Sequence, residues 1–248
     1  MKRRYEISDC HWEKIKDLLP GKEGDVGCTA RDNRQFINGV LWILRSGAAW
    51  PDLLERYGKF NSVYRRYSRW CEKGVWGKIF SVLSADKDNE YLILDSSVVQ
   101  AHSQSATYKK RARVGGAVGG LTSKIHMLCD ALGNPVRFEI TGGQVHDSQL
   151  AEKLIEGQET RYVLADKGYI KPSFIEKIEA MGAEAVIPKR ANQNQKRNFD
   201  AFIYKDRNLV ERLFSKLKHF RRVATRFDKK LINYRGFVAL ACSMILLR

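Results

Sequence analysis

Apolar residues recur at helical spacing in the first third of the chain and give way to strand-like runs after it. Helices are predicted over residues 8–19, 29–46, 52–57 and 61–73. Pro20 and Gly47 are typical residues for ending the first two of these helices. Residues 84–90 contain no large apolar side chain, so we expect a linker there. The pattern predicts an all-α domain over residues 1–85.

The period of the hydrophobic pattern changes after this linker. Short apolar runs predict strands over residues 91–95, 124–130, 136–141, 161–165 and 183–187. Helices are predicted over residues 146–155 and 172–181 and from about 206 onward. This order indicates a mixed α/β domain over residues 90–248. The most apolar stretch, Phe237 to Leu247, is too short to span a bilayer, so we expect a buried helix and no membrane association.

The predicted helix over residues 61–73 carries a basic stripe. Arg65, Arg66 and Arg69 fall on one face, and Val63 and Trp70 fall on an apolar face. A short turn at Gly58 joins this helix to the one before it, which is typical of a helix-turn-helix. The basic face is therefore a candidate for contact with DNA phosphates or base edges. The alternative is a solvated basic face on an ordinary helical bundle.

The charge balance strengthens the first interpretation. The chain of 248 residues has 44 Lys and Arg against 28 Asp and Glu, a formal net charge of +16. Such an excess favours an anionic polymer as partner, with nucleic acid as the leading candidate over a basic protein that has no such partner. The five cysteines are not at metal-binding spacing, and no apolar signal core follows the basic first residues. We therefore expect a reducing, cytoplasmic location.

Two carboxylates follow apolar strands. Asp95 and Asp166 each come at the end of a predicted strand, where functional groups of α/β sheets gather. If the two strands are neighbours, the carboxylates converge and repel each other unless a cation neutralises them. A hard divalent ion such as Mg²⁺ fits oxygen ligands of this kind. The alternative is that each aspartate only caps the turn that follows it.

A third carboxylate lies on a basic helical face near the C-terminus. Tyr204, Arg207, Glu211 and Lys218 are spaced by three, four and seven residues and share one side of a helix. Glu211 could bind the same metal ions as the two aspartates. Arg207 and Lys218 could hold phosphates or keep Glu211 ionised. The alternative is a set of salt pairs on a solvated helix.

This spacing resembles the tyrosine-arginine-glutamate-lysine signature of DDE insertion-sequence transposases. Three further stretches are similar to the insertion-sequence-five branch of the insertion-sequence-four/five superfamily: residues 36–53, 119–126 and 165–169. The resemblance implies an RNase H-like mixed sheet flanked by helices, preceded by a helix-turn-helix-like domain. It also implies that Asp95, Asp166 and Glu211 are the catalytic residues and hold two Mg²⁺ ions, which Mn²⁺ can replace, with no other cofactor.

The resemblance further implies DNA as substrate and partner. We expect binding of the terminal inverted repeats, hydrolysis at the element ends, and joining of the 3′-hydroxyls to target DNA. Tyr204, Arg207 and Lys218 are expected to orient the DNA end, and Lys124 and Lys167 are further candidates for contact near the cleavage site. Because two ends are joined, we expect a homodimer or larger assembly on DNA. The alternatives are an inactive transposase-derived regulator and an RNase H-like nuclease that does not transpose.

Overall fold

The computed structural model describes residues 4–25, 29–103, 122–188 and 200–248. Residues 119–121, which begin the second motif stretch, lie outside these ranges. Two compact units are present. The helical unit contains the described residues up to 83, residues 102–103 and residues 217–248, and the sheet unit contains residues 84–101 and the described residues of 122–216.

The helical unit is built from six α-helices in the described residues. They are α1 (Asp9–Ile15), α2 (Asn33–Ser46), α3 (Phe60–Glu72), α4 (Val75–Leu83), α9 (Arg221–Ala224) and α10 (Leu231–Leu246). The side chain of Asp32 caps α2 by accepting from the Gln35 N–H at 2.8 Å, so the helix begins later than the predicted residue 29. Gly47, with φ of 73°, ends the same helix in the left-handed conformation.

The predicted helix over residues 52–57 is wrong. The structure has two single 3₁₀ turns there, Trp50–Asp52 and Glu55–Tyr57. Leu53 and Leu54 between them have extended backbones, and Leu53 is buried. The extended backbone at Leu53 and Leu54 therefore interrupts the predicted helix. As a result, a single 3₁₀ turn, and not a full helix, precedes Gly58 and α3.

Aromatic rings fill the core of the helical unit. The rings of Tyr67 on α3 and Phe237 on α10 stack at a centroid distance of 4.5 Å. The Tyr67 hydroxyl donates to the Asn233 carbonyl oxygen at 2.6 Å. The predicted buried helix over 237–247 is therefore present as the greater part of α10. It packs against α3 and α4. The helical unit therefore contains residues from the first third of the chain and residues 217–248, whereas the sequence pattern grouped residues 90–248 in one domain.

The sheet unit contains one five-stranded mixed sheet. Its strands are β1 (Tyr91–Gln100), β2 (Thr122–Cys129), β3 (Pro135–Gly142), β4 (Tyr162–Leu164) and β5 (Glu184–Val186), in the order β3-β2-β1-β4-β5. The first three strands pair antiparallel, and β4 and β5 continue the sheet in parallel with β1. Its helices are α5 (Ser148–Ile155), α6 (Pro172–Ala180), α7 (Ala201–Tyr204) and α8 (Asn208–Lys218), the last of which ends in the helical unit. The RNase H-like mixed sheet with flanking helices is confirmed.

The main core of the sheet unit lies between the sheet and two helices. Leu92 and Leu94 of β1 pack there with Leu154 of α5 and with Phe174 and Ile178 of α6, all of them fully buried. Apolar alternation along β1 thus fixes which side chains face these helices and which face the opposite side. None of the helices in the described ranges has the length and apolarity needed to cross a membrane.

Candidate active site

The strand register brings Asp95 and Asp166 to the same level of the sheet. The parallel pairing of β1 and β4 ends where Ile93 lies opposite Leu164. Asp95 comes two residues after Ile93, and Asp166 comes two residues after Leu164. β1 itself continues to Gln100, so the prediction that Asp95 ends a strand is wrong. The carboxylate instead marks the point where the parallel pairing ends, and both aspartates sit at that carboxyl edge.

Backbone amides orient both carboxylates. Asp95 Oδ1 accepts from the Ser96 N–H at 2.8 Å, and Asp166 Oδ1 accepts from the Gly168 N–H at 2.8 Å. A Cβ atom added to Gly168 would lie 2.9 Å from Asp166 Oδ1. A larger residue at this position would therefore displace the carboxylate from its present contact with the backbone. The second contact also means that Asp166 does cap the short turn that follows it.

Arg207 connects Asp95 to Glu211. Its Nη1 lies 3.2 Å from Asp95 Oδ2, and its Nη2 donates to Glu211 Oε1. Arg207 ends a 3₁₀ turn and Glu211 lies in the first turn of α8, one helical turn further on. The predicted contact between these two residues is therefore present, although a 3₁₀ turn interrupts the predicted helix. The planar guanidinium donates to both carboxylates from two separate nitrogen atoms. A lysine has a single ammonium nitrogen and cannot reproduce this arrangement.

Negative charge exceeds positive charge at this edge of the sheet. Burial is the main reason that the pKa of Asp95 is raised, and the neighbouring Asp166 and Glu211 act in the same direction. The Ser96 amide and the Arg207 guanidinium oppose this rise and do not cancel it. For Arg207, burial acts to lower the pKa, but Asp95 and the other anionic groups raise it overall. Arg207 is therefore firmly charged.

The donor set fits a hard divalent cation. Asp95, Asp166 and Glu211 offer carboxylate oxygens only, which are the ligands that Mg²⁺ and Mn²⁺ prefer. Burial raises the pKa of Asp95, and the charges of Asp166 and Glu211 add to this rise, so a divalent cation would favour the ionised carboxylate. Within the described part of the chain, no three His, Cys, Asp or Glu side chains are grouped closely enough to hold an ion. Arg207 lies between two of the three carboxylates in this arrangement.

Four other residues were predicted to contact DNA near this site, and they differ in their exposure and in their contacts. Tyr204 is half-buried, and the Arg207 guanidinium lies 5.9 Å from its ring centroid, so it borders the site. Lys167 is exposed in the turn that follows Asp166. Lys124 is mostly buried, and its Nζ donates to Val145 O at 2.9 Å and Asp147 Oδ1 at 3.0 Å. Lys218 is exposed at the end of α8, in the part of that helix that belongs to the helical unit.

Sequence reasoning missed two contacts around the site. The Tyr91 hydroxyl donates to Asp206 Oδ2 at 3.0 Å, which ties the start of β1 to the turn that carries Arg207. Asp147 occupies the N-cap position of α5, but its side chain makes no capping bond and accepts from the Ser96 hydroxyl instead. The contact between Asp147 and Ser96 joins residues that are 51 positions apart. The spacing of polar and apolar residues therefore gives no sign of it.

The predicted basic stripe on α3 is only partly exposed. Arg65 and Arg69 are exposed. Arg66 is half-buried, with its guanidinium 4.2 Å from the ring centroid of Phe36 and 4.8 Å from that of Trp70. It also donates to the Asn33 side chain. Arg66 is thus part of the packing between α2 and α3, and two arginines remain as candidates for contact with DNA.

The fold and the acidic edge define the class of protein. Residues 86–246 match the family model described as "Transposase DDE domain", and residues 7–80 match "Putative transposase of IS4/5 family". The chain therefore belongs to the DDE transposases of insertion sequences, in the IS4/5 group.

Curated relatives agree with this assignment. The putative transposase for insertion sequence element IS6501 of Brucella ovis is 35% identical over 133 residues, which are 52% of this chain and 100% of that protein. The putative transposase for IS402 of Burkholderia cepacia is 31% identical over 135 residues, which are 50% of this chain and 62% of that protein. The cryo-EM structure of the piggyBac transposase synaptic complex with hairpin DNA shares the fold, with a TM-score of 0.52 and 13% identity over 98% of this chain and 73% of that one.

Proposed function

We propose that this chain cuts DNA at the ends of its insertion sequence and joins the 3′-hydroxyls to target DNA, using Asp95, Asp166 and Glu211. The observation that carries the proposal is the level position of Asp95 and Asp166 at the end of the parallel pairing, with Glu211 connected to Asp95 through Arg207. Two carboxylates at the same level of an RNase H-like sheet, with a third joined to one of them through Arg207, suit phosphoryl transfer better than a structural role, because like charges gathered in this way repel one another.

The three carboxylates would hold two Mg²⁺ ions, for which Mn²⁺ can substitute. When bound, such ions activate the attacking water or 3′-hydroxyl and stabilise the leaving oxygen. The Ser96 and Gly168 amides fix the Asp95 and Asp166 carboxylates before substrate arrives. Arg207 bonds to both Glu211 and Asp95, and together with Tyr204 it would orient the DNA end.

DNA binding is assigned to basic residues in both parts of the chain. Residues 1–85 would bind the terminal inverted repeats, with the exposed Arg65 and Arg69 as contacts, and residues 90–248 would carry the catalytic domain. Lys167 and Lys218 are exposed and would contact the phosphates of the DNA end. Lys124 would not contact DNA, because its ammonium group already binds the Asp147 carboxylate and the Val145 carbonyl oxygen. Since two ends are joined, at least two copies would act together on the DNA of the bacterial cytoplasm.

The test is cleavage of a labelled duplex that carries one element end. Wild type is compared with Asp95→Asn, Asp166→Asn and Glu211→Gln in Mg²⁺, while DNA binding is measured separately without a divalent ion. We expect each variant to bind the duplex and to cut it about 100-fold more slowly or worse, the scale for losing one preorganised charged group. Glu176→Gln is the matched control, because Glu176 is exposed on α6 and should cut at the wild-type rate.

Each other outcome has a definite meaning. A variant that cuts like wild type would show that its carboxylate is wrongly assigned. A wild-type chain that binds the end and never cuts in Mg²⁺ or Mn²⁺ would favour an inactive regulator. Cutting without joining to a target duplex would favour a nuclease that does not transpose.

A further inference from the structure

A half-buried polar cluster lies next to the acidic edge and is not used by the proposed reaction. Asp147 Oδ1 accepts from the Ser96 hydroxyl at 2.7 Å and from Lys124 Nζ at 3.0 Å. Lys124 Nζ also donates to the Val145 carbonyl oxygen at 2.9 Å. One carboxylate thus joins β1, β2 and the start of α5. We call Ser96, Lys124 and Asp147 the Asp147 cluster.

The Asp147 side chain is turned toward the sheet and away from its own helix. It occupies the N-cap position of α5, yet it makes no capping hydrogen bond. Burial is the largest influence on Asp147 and would raise its pKa, but the bonds from Ser96 and Lys124 outweigh burial and lower it. Asp147 is therefore ionised and paired at neutral pH. The Asp147 carboxylate bonds to a residue of β1 and does not cap its own helix. The strand therefore sets the position of this carboxylate.

His126 completes the surroundings of this carboxylate. It lies opposite Ser96 in the register of β1 and β2 and is fully buried. Its Nδ1 is 3.8 Å from Asp147 Oδ1 and makes no hydrogen bond within the described residues. Its Nε2 lies 2.8 Å from Thr141 Oγ1 on β3. The imidazole therefore closes the cluster from the side of β2 and limits where Asp147 can move.

Ser96 connects the cluster to Asp95. Its hydroxyl donates to Asp147, while its backbone N–H donates to Asp95 Oδ1 at 2.8 Å. Neighbouring side chains on a strand point to opposite faces of the sheet. Ser96 therefore anchors its side chain on the face of α5 and uses its amide to orient the carboxylate on the other face. Any rotation of the strand at Ser96 would change both bonds together.

We propose that Asp147 is a positioning residue for Asp95, acting through Ser96. The inference rests on the proposed role of Asp95 as a metal ligand. The anchored Ser96 keeps its amide aimed at Asp95 Oδ1, so that Oδ2 is held in one orientation. Groups that orient a ligating carboxylate typically change metal affinity or activity by about 10- to 100-fold when they are removed.

The test uses Mn²⁺ as the probe and the full chain. Ser96→Ala removes the hydroxyl and keeps the backbone amide, and Asp147→Asn removes the charge. Binding of Mn²⁺ is measured by calorimetry on the protein alone, and the Mn²⁺ concentration for half-maximal DNA cleavage is measured alongside it. We expect both values to increase by about 10- to 100-fold in each variant, with little change in the maximal rate at saturating Mn²⁺.

Three further variants separate positioning from loss of structure. Ser148→Ala removes a hydroxyl from the same helix start, where it contacts His146 Nδ1 at 2.9 Å, and should keep wild-type Mn²⁺ binding. Ser96→Thr retains the hydroxyl and should restore wild-type affinity. The double variant Ser96→Ala with Asp147→Asn should be no worse than the weaker-binding single variant, because both changes break the same connection.

Contrary results overturn the inference in distinguishable ways. If Ser96→Ala binds Mn²⁺ like Ser148→Ala, Asp147 does not act through Ser96. This result counts even if Asp147→Asn fails to fold, because Ser96→Ala leaves the Asp147–Lys124 pair intact. If the losses of the two single variants add in the double variant, they act by separate routes and the inference fails. A wild-type protein that binds no Mn²⁺ would refute the proposed function together with this inference.

Discussion

The C-terminal helix should be essential to the helical unit, and Gly236 is the place to test this. Gly236 lies on α10 against residues of α3 and α4. A Cβ atom added there would lie 2.5 Å from Cys71 Sγ, 3.0 Å from the Tyr67 hydroxyl oxygen and 3.1 Å from Trp76 Cδ1. All three neighbours are buried, so none can move aside into solvent. Gly236→Ala must therefore separate α10 from its partners.

The expected magnitude follows from these distances. Forcing an extra carbon atom into a packed core costs about 1–3 kcal/mol. Gly77 on α4 is the control, because a Cβ atom there would meet nothing within 4 Å. Gly77→Ala should stabilise the protein by roughly 0.5–1 kcal/mol through better helix propensity. At about 2–4 °C per kcal/mol, Gly236→Ala should unfold roughly 2–12 °C below wild type, and Gly77→Ala slightly above it.

Tryptophan fluorescence is a selective assay for this prediction. All five tryptophans lie between residues 12 and 76, so their thermal transition reports the helical unit. Circular dichroism over the same range reports the whole chain. If the fluorescence transition of Gly236→Ala equals that of Gly77→Ala or lies above it, α10 does not pack against α3 and α4 as described.

Three further predictions concern single residues. Arg207→Lys should slow end cleavage about 10-fold or more in the duplex assay, because one ammonium cannot replace a planar guanidinium that donates to two carboxylates. Burial lowers the pKa of His126 despite the nearby Asp147, so the unfolded chain binds a proton more readily and stability should fall as the pH drops below about 6.5. Thermal unfolding between pH 7.5 and 5.5, followed by circular dichroism, should show this loss in wild type and less of it in His126→Gln. Arg65→Ala should weaken DNA binding in a gel-shift assay with unchanged thermal stability, whereas Arg66→Ala should lower the unfolding temperature.

Specific results would contradict each of these. Wild-type cleavage by Arg207→Lys would mean that charge alone matters at this position. The same pH dependence in His126→Gln as in wild type would mean that other groups cause the acid instability. A stability loss in Arg65→Ala as large as that in Arg66→Ala would mean that the two arginines do not differ in packing.

Local patterns predicted the strands well because each strand is an apolar run bounded by polar residues. Their limit is visible at β1. Its apolar part ends before Asp95, and the pattern therefore predicted the end of the strand there. The strand continues to Gln100 because residues 96–100 pair with β2, and pairing of backbones across the sheet leaves little trace in side-chain polarity. The matched position of Asp95 and Asp166 was predictable, but the register that explains it was not.

Long-range contacts account for what the sequence could not predict. The basic stripe suggested three equivalent arginines, but Arg66 packs on Phe36, which lies on another helix. Lys124 was predicted to contact DNA, but its ammonium group forms an ion pair with Asp147. The apolar character of α10 predicted burial correctly but gave no indication of its partners. In each case the residue type was informative, and the neighbour that determines its role is far away in the chain.

The charge at the acidic edge constrains how DNA can approach it. Asp95, Asp166 and Glu211 carry up to three negative charges, and Arg207 supplies one positive charge, although the whole chain has a net charge of +16. A phosphate of the DNA backbone is attracted by the basic residues elsewhere but repelled by this local excess. Under the proposed function, the basic residues would therefore hold DNA without divalent ions, and the scissile phosphate would need further cations to enter the acidic edge. Among the described residues, Arg207 contacts two of these carboxylates, so under the proposed function it is the positive charge that bound metal ions would supplement.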